Sequence, residues 1–412
     1  MFGRLLPALF LVLALAPAVR AQTFLLPNNF TQAVLPFEYA NGFLLVTLTV
    51  NNQLPLRFVF DTGAEHTLLL QPEMAVAMKM HYTRVFDIQG ADMLADRKAY
   101  LVRNVTLSAA TARNERLDFT RRSILVLQED YFRFDAYAGV PVHGILGADI
   151  FANFTVRIDF RHRRIELSRP GRWKPRKSFA TLPVELYRNK AYLRTHTSLV
   201  AGDSIPVKLL VDTGAALPLL LYTETSPQLT LPETVIEGQI GTGLGGNLSG
   251  FMGRMHGLWL GPYRVDRPVT HFQRLPVLVD TSRLNQRQGI LGSRLLERYE
   301  VVLDYTAERI YLRRYRRRPP RPRYDRSGLV LTAGGPGLNE FYAHWVVPGS
   351  PAAEAGLLPG DRILRANGQS ARLLGLNGLR RLLQRRAGKR IRLRWLRDEH
   401  VQNSALVLRD LL

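Results

Sequence analysis

The stretch FVFDTGAEHTLLL (Phe58–Leu70) decides the fold, because LLVDTGAALPLLL (Leu209–Leu221) says nearly the same thing later in the chain. Each copy runs from an apolar, strand-like segment into Asp-Thr-Gly-Ala and out into a leucine run. The likeness continues outward. HGILGADIFANFTVRIDF (His143–Phe160) follows the first copy and QGILGSRLLERYEVVLDY (Gln288–Tyr305) follows the second, at nearly equal spacing from their aspartates. Such a repeat, of roughly 145 residues, is a duplicated domain, since solenoid periods are about 20–50 residues. VDTS at Val279–Ser282 has the Asp and Thr but neither the Gly nor a copy in the other half, and reads as an ordinary turn.

Between these anchors lie short apolar or alternating runs of strand type: FLLVTLTV (Phe43–Val50), LRFVF (Leu56–Phe60), ILVL (Ile124–Leu127) and VRIDF (Val156–Phe160). PEMAVAMKM from Pro72 reads as a short helix with Pro in its first turn. The expected class is mainly β: a first lobe over 22–170 and a second over 171–312, joined near RPGRWKPRKS (Arg169–Ser178). RRYRRRPPRPRYDR cannot form a core, and its prolines favour extended geometry, so 313–326 is expected to be an exposed linker. GSPAAEAGLLPGDRILRANGQ (Gly349–Gln369), an amphipathic LNGLRRLLQRR (Leu376–Arg386) and RIRLRWL (Arg390–Leu396) then make a small α+β module over 327–412.

Composition narrows the chemistry. Arg4, the apolar run Leu5–Ala18 and the Val19-Arg20-Ala21 end read as a secretory signal cleaved after Ala21, which sends the protein to the periplasm or beyond. The 412 residues contain no cysteine, which excludes disulfides, thiol nucleophiles and cysteine metal sites together. The histidines show no H-x-H or H-E-x-x-H spacing and no G-x-S-x-G elbow occurs, so no metal, cofactor or serine nucleophile is implied. A formal charge of +22 favours anionic partners. The arginine-rich linker could dock on an anionic surface, each cation contributing on the order of 1 kcal/mol near acidic lipid, or simply be solvated. Nucleic acid is not expected, for want of aromatic interleaving.

A strand that ends in Asp-Thr-Gly presents a carboxylate at a tight turn, where Gly permits close approach of another chain. Two such turns can meet across a pseudo-twofold axis. Carboxylates about 3 Å apart cannot both ionise; they share one proton, one serving as base and the other as acid. Such a pair can polarise a water, deliver it to a peptide carbonyl and protonate the leaving amine.

At these residues the sequence resembles the retropepsin-like aspartic proteases, with apolar-Asp-Thr-Gly-Ala and a later apolar-apolar-Gly triplet, over roughly residues 35–312. The resemblance implies two β-barrel lobes forming a pepsin-like unit, with Asp61 and Asp212 catalytic. It implies that Thr62 and Thr213 knit the two turns together. It also implies that Ile145-Leu146-Gly147 and Ile290-Leu291-Gly292 pack beneath the loops Gly63-Ala64 and Gly214-Ala215. Ala64 and Ala215 lack the hydroxyl that Ser or Thr would bring there, which implies an optimum less acidic than that of pepsin. The substrate-covering flap is expected in GQIGTGLGGNLSG (Gly238–Gly250), at Gly241, Thr242, Gly243, Leu244, Gly245 and Gly246. Gly241, Gly243 and Gly246 also satisfy G-x-G-x-x-G, but the alternating, glycine-broken sequence after them does not suit the helix a nucleotide fold requires. The equivalent region of the first copy, FDIQGADMLADRKAY (Phe86–Tyr100), is charged and glycine-poor, so a degenerate or reshaped flap is expected there. His66 reads as a flanking polar residue, since the second copy has Leu217 in its place.

The C-terminal module resembles a PDZ domain of the bacterial protease-associated kind. That implies an added peptide strand along Gly328-Leu329-Val330-Leu331, backbone amides of the adjacent loop holding a C-terminal carboxylate, and a second wall from the helix near Leu379. The reading is an aspartic endopeptidase acting on polypeptides, with a PDZ domain that recruits substrate or partner. The alternative is a non-catalytic peptide-binding scaffold that uses the same cleft and groove.

Overall fold

The computed structural model describes residues 30–89, 96–243, 246–275, 284–315 and 324–412. The expected signal, Val279–Ser282, most of the Arg/Pro linker and the flap residues Leu244 and Gly245 lie outside these residues.

The chain is mainly β, and its two halves repeat one pattern of pairing. In the first half, Leu54–Phe60 pairs antiparallel with Phe43–Val50 and parallel with Gly144–Leu146. In the second, Ile205–Asp212 pairs antiparallel with Lys190–Ser198 and parallel with Gly289–Gly292. Both aspartate-bearing strands are central, with neighbours on either side. This explains why each reads as an unbroken apolar run: Phe58, Val59, Phe60, Leu209 and Val211 are all fully buried.

The segments that follow the two ILG triplets join the halves. Thr155–Asp159 pairs with Tyr299–Asp304 from the other copy, at the centre of six strands shared by both halves. Gln32–Pro36 and Arg164–Ser168 flank one side, Arg309–Arg314 and Ala180–Tyr187 the other. Glu300, on the Tyr299–Asp304 strand, is fully buried; its carboxylate takes Arg157 Nε at 2.6 Å and also pairs with Arg313. Arg313 belongs to the same half as Glu300 and Arg157 to the other, so joining the halves completes the pairing of a buried acid that would be costly alone. One hydrophobic cluster runs through both, with Phe60 stacked on Phe151 at 4.3 Å beneath the first aspartate.

The C-terminal domain has a core of its own, which contains Leu329, Leu331, Phe341, Ile363, Leu379 and Trp395. Its sheet is built from Leu329–Gly334, Glu340–Val346, Arg362–Ala366, Arg390–Arg397 and His400–Val407. The helix Ala371–Leu383 breaks at Gly375, whose φ of 62° and ψ of 173° suit glycine alone. Among the described residues no helix is long and apolar enough to cross a membrane.

Candidate active site

Each Asp-Thr-Gly-Ala turn folds the carboxylate back onto its own loop. Asp61 Oδ1 accepts the N–H groups of Gly63 (2.7 Å) and Ala64 (3.0 Å); Asp212 Oδ1 accepts those of Gly214 (2.8 Å) and Ala215 (2.9 Å). The glycines allow the loops to cross. A Cβ on Gly63 would lie 2.4 Å from Asp212 Cγ, and one on Gly214 would lie 2.2 Å from Asp61 Oδ2. Each glycine therefore seats the opposite carboxylate, and the two acids are hydrogen-bonded to each other.

The threonines lock this arrangement. Thr62 Oγ1 donates to Val211 O at 2.8 Å and Thr213 Oγ1 donates to Phe60 O at 2.7 Å. Each hydroxyl also accepts the other threonine's N–H, both at 3.1 Å. The four bonds are reciprocal, and both side chains have no solvent exposure. Beneath them, Asp61 N–H donates to Leu146 O (3.1 Å), Ala148 N–H to Ala64 O (2.9 Å) and Ser293 N–H to Ala215 O (2.9 Å). Gly147 and Gly292 leave no room for a side chain: a Cβ would stand 2.5 Å from His66 O and 2.1 Å from Leu217 O.

Electrostatics separates the two acids. Burial, then the Asp212 charge beside it, pushes the Asp61 carboxyl well above the ordinary carboxylate range. Burial raises Asp212 as well, but the N–H groups of Ala215 and Gly214, the hydrogen bond from Asp61 and the Arg287 charge all favour its ionised form. Both carboxyls are therefore held above the ordinary range, and the proton they share belongs to the pair. Both residues keep intermediate exposure, so the pair is reachable from solvent. Among the described residues no group of acids and histidines could hold a metal ion.

The flap candidates Gly241, Thr242, Gly243 and Gly246 lie on a β-hairpin, Val235–Gly243 with Gly246–Arg254, in which Gly243 faces Gly246. A strand thus follows the last glycine where a nucleotide fold needs a helix. The first copy also has a hairpin, Tyr82–Gln89 with Asp96–Ala110, around the undescribed residues 90–95. Within it Tyr82 stacks on Tyr100 at 4.8 Å. His66 is exposed beside Glu65 and touches neither catalytic candidate.

The PDZ groove is not open. The expected carboxylate-binding amides of Ser327, Gly328 and Leu329 all donate to Asp325 Oδ1, at 2.9, 2.7 and 3.2 Å. The helix Phe134–Ala138 of the first lobe packs against the strand Leu329–Gly334. Gly139, just after it, lies against Leu376. Arg380 spans the groove, donating to Tyr137 O (3.1 Å) and Leu331 O (2.6 Å), while Tyr137 Oη meets His344 Nε2 at 3.2 Å. Leu329, Leu331 and Leu379, expected to face a peptide, are buried in the PDZ core, and Val330 keeps partial exposure. Their backbone and Arg380 form the walls. Sequence reading missed Arg380 and Asp325, because each acts through a contact set by tertiary packing or loop geometry.

Sequence reading also missed Lys190 and Arg287, which lie near Asp212. The signal was available: aligning VPVHGILG (Val140–Gly147) with NQRQGILG (Asn285–Gly292) sets Val142 against Arg287.

The family profile described as aspartyl protease matches residues 46–150, and that described as PDZ domain matches residues 343–397. No curated protein matches the chain. Among solved structures it is similar to basic 7S globulin from soybean, with 11% identity, 69% of this chain and 95% of that one covered, and a TM-score of 0.44. It is also similar to conglutin gamma, a basic 7S globulin from lupine seeds, with 10% identity, the same coverages and a TM-score of 0.44.

Proposed function

We propose that this chain, which carries an aspartyl protease domain and a PDZ domain, is an aspartic endopeptidase acting on polypeptides outside the cytoplasm. The observation that carries the reading is the mutual seating of Asp61 and Asp212 on each other's glycines. In the reaction, Asp212 takes a proton from water as the water oxygen bonds to the peptide carbonyl carbon. Asp61 gives its proton to the carbonyl oxygen, leaving a neutral diol. The proton on Asp212 then passes to the amide nitrogen, the C–N bond breaks, and the reforming carbonyl returns a proton to Asp61. No covalent enzyme intermediate forms.

The test is a diverse peptide pool incubated from pH 3 to 7. Cleavage is expected, and a peptidomimetic with a non-hydrolysable hydroxyl in place of the scissile carbonyl is expected to abolish it. Tight binding of the pool without cleavage would establish the binding scaffold instead.

The PDZ domain, in this proposal, exchanges the Tyr137–Gly139 segment for an incoming peptide. Arg380→Met removes the donors to Tyr137 O and Leu331 O, so a fluorescent peptide with an apolar C-terminal residue should bind the full chain about tenfold more tightly. Equal affinities would show that the first lobe does not compete for the groove.

A further inference from the structure

The two halves of the cleft can be compared residue by residue through strand register. Val59 faces Leu45 as Leu210 faces Tyr192, and Phe58 pairs with Gly144 as Leu209 pairs with Gly289. Counting outward from those pairs, Phe43 and Val142 of the first half correspond to Lys190 and Arg287 of the second.

In the first half both positions are apolar. Phe43 is 5% exposed and meets the Phe134 ring at 5.1 Å, Val142 is fully buried, and their cluster reaches Ala64 of the active loop. The corresponding cluster of the second half contains Tyr192, Leu210, Tyr222 and Ile290 and reaches Ala215. There, both positions are cations. Arg287 is only 8% exposed; its Nη2 lies 3.4 Å from Tyr222 Oη and its guanidinium carbon 5.8 Å from the centre of that ring. Its buried Nε has no hydrogen-bond partner among the described residues.

A guanidinium has five donors and loses its hydration when buried, so it is ordinarily matched by a carboxylate. Phenol oxygens do not supply that charge, and the carboxylate near it, Asp212, is already held by the N–H groups of its own loop. A second cation makes the imbalance larger: burial, then repulsion by Arg287, holds the Lys190 ammonium below its usual range, while Glu65 and Asp212 attract it. Lys190, Ala215 and Leu217 keep partial exposure, so this cluster is reachable from solvent. Arg188, in the same turn as Lys190, lies 3.8 Å from Glu65.

We propose that the second half of the cleft is a carboxylate-recognition pocket, in which Arg287 assisted by Lys190 selects substrates bearing an anionic group, while the first half takes an apolar residue. The proposal rests on the proteolytic reading above and deepens it. The carboxylate can belong to a Glu or Asp side chain or to a free C-terminus.

Matched peptides separate these sources: one set with an apolar residue followed by Glu, Gln or Leu in mid-chain, another ending as free acid or as amide. For wild type, kcat/KM is expected to favour Glu over Gln, or acid over amide, by about tenfold or more, as for hydrogen bonds to charged groups. Arg287→Met should bring that ratio close to one. Because the Arg287 charge also favours the ionised form of Asp212, neutral peptides are cleaved more slowly as well, and the charged-to-neutral ratio rather than the rate is the readout. Arg287→Lys should retain part of the preference. No preference in the wild type for either form of carboxylate overturns the proposal. So does a loss in Arg287→Met that is equal for charged and neutral peptides, which would mark a structural role. If no peptide is cleaved, the proteolytic reading fails. The pocket is then still read by equilibrium binding, where wild type but not Arg287→Met must prefer the charged member of each pair.

Discussion

Asp61→Asn and Asp212→Asn are each expected to lower kcat/KM on any cleaved peptide by about a thousandfold or more, since general acid and base catalysis both depend on the shared proton. Asn preserves the shape and can still accept the loop N–H groups that Asp61 Oδ1 and Asp212 Oδ1 accept. It can neither lend nor take up the proton. The wild-type pH profile should be bell-shaped: activity rises as the dyad loses its first proton and falls as it loses its second. Because burial and the charge of the neighbouring carboxylate resist removal of the second proton, the falling limb should lie above the ordinary carboxylate pKa.

Stability should move the other way. A raised native pKa means that the folded protein holds a proton which the unfolded chain releases, so this contribution is full at low pH and declines as pH rises through the native value. Asp61→Asn removes that decline and should leave the protein at least as stable as wild type at pH 7. Activity in either Asn variant equal to wild type would refute the catalytic assignment. Loss of activity accompanied by unfolding at pH 7 would show that the acids have a structural role.

Thr213→Val is expected to destabilise the protein by about 3 kcal/mol, with a further loss of activity. Valine matches threonine in shape but has no hydroxyl, so Phe60 O loses its donor and Thr62 N–H loses its acceptor. Both groups are enclosed, and each unsatisfied group costs about 1–3 kcal/mol. The two aspartate turns would then be held by half of their reciprocal bonds, and kcat/KM should fall about a hundredfold, as misplaced reacting groups do. Thr213→Ser, which keeps the oxygen, should recover most of both losses. Urea unfolding followed by fluorescence measures the first effect and peptide cleavage the second. A Val variant as stable as wild type would mean that the lock contributes nothing to joining the halves.

Much of the site was legible because its signals are local and occur twice. Asp-Thr-Gly-Ala fixes a carboxylate on a turn, and the matching ILG triplets announce a parallel neighbour for each aspartate strand. The first hairpin was harder to read. Its sequence has one glycine and several charges, and its cross-strand pairs, such as Phe86 with Ala99, follow from register rather than composition. The PDZ string GSPAAEAGLLPGD was enough for the domain but not for the state of its groove, which depends on where a distant helix from the first lobe packs.

Sequence alone determined that two acids, two threonines and two glycine triplets would be present in matching order, because the duplicated turn allows few alternative backbones. Tertiary structure decided that the two carboxyls share one buried site, that Lys190 and Arg287 stand where Phe43 and Val142 would be, and that Tyr137 lies against the PDZ groove. These depend on burial and on distances between residues far apart in the chain, which no local pattern encodes: the charge near Asp212 comes from Arg287, well beyond its own turn.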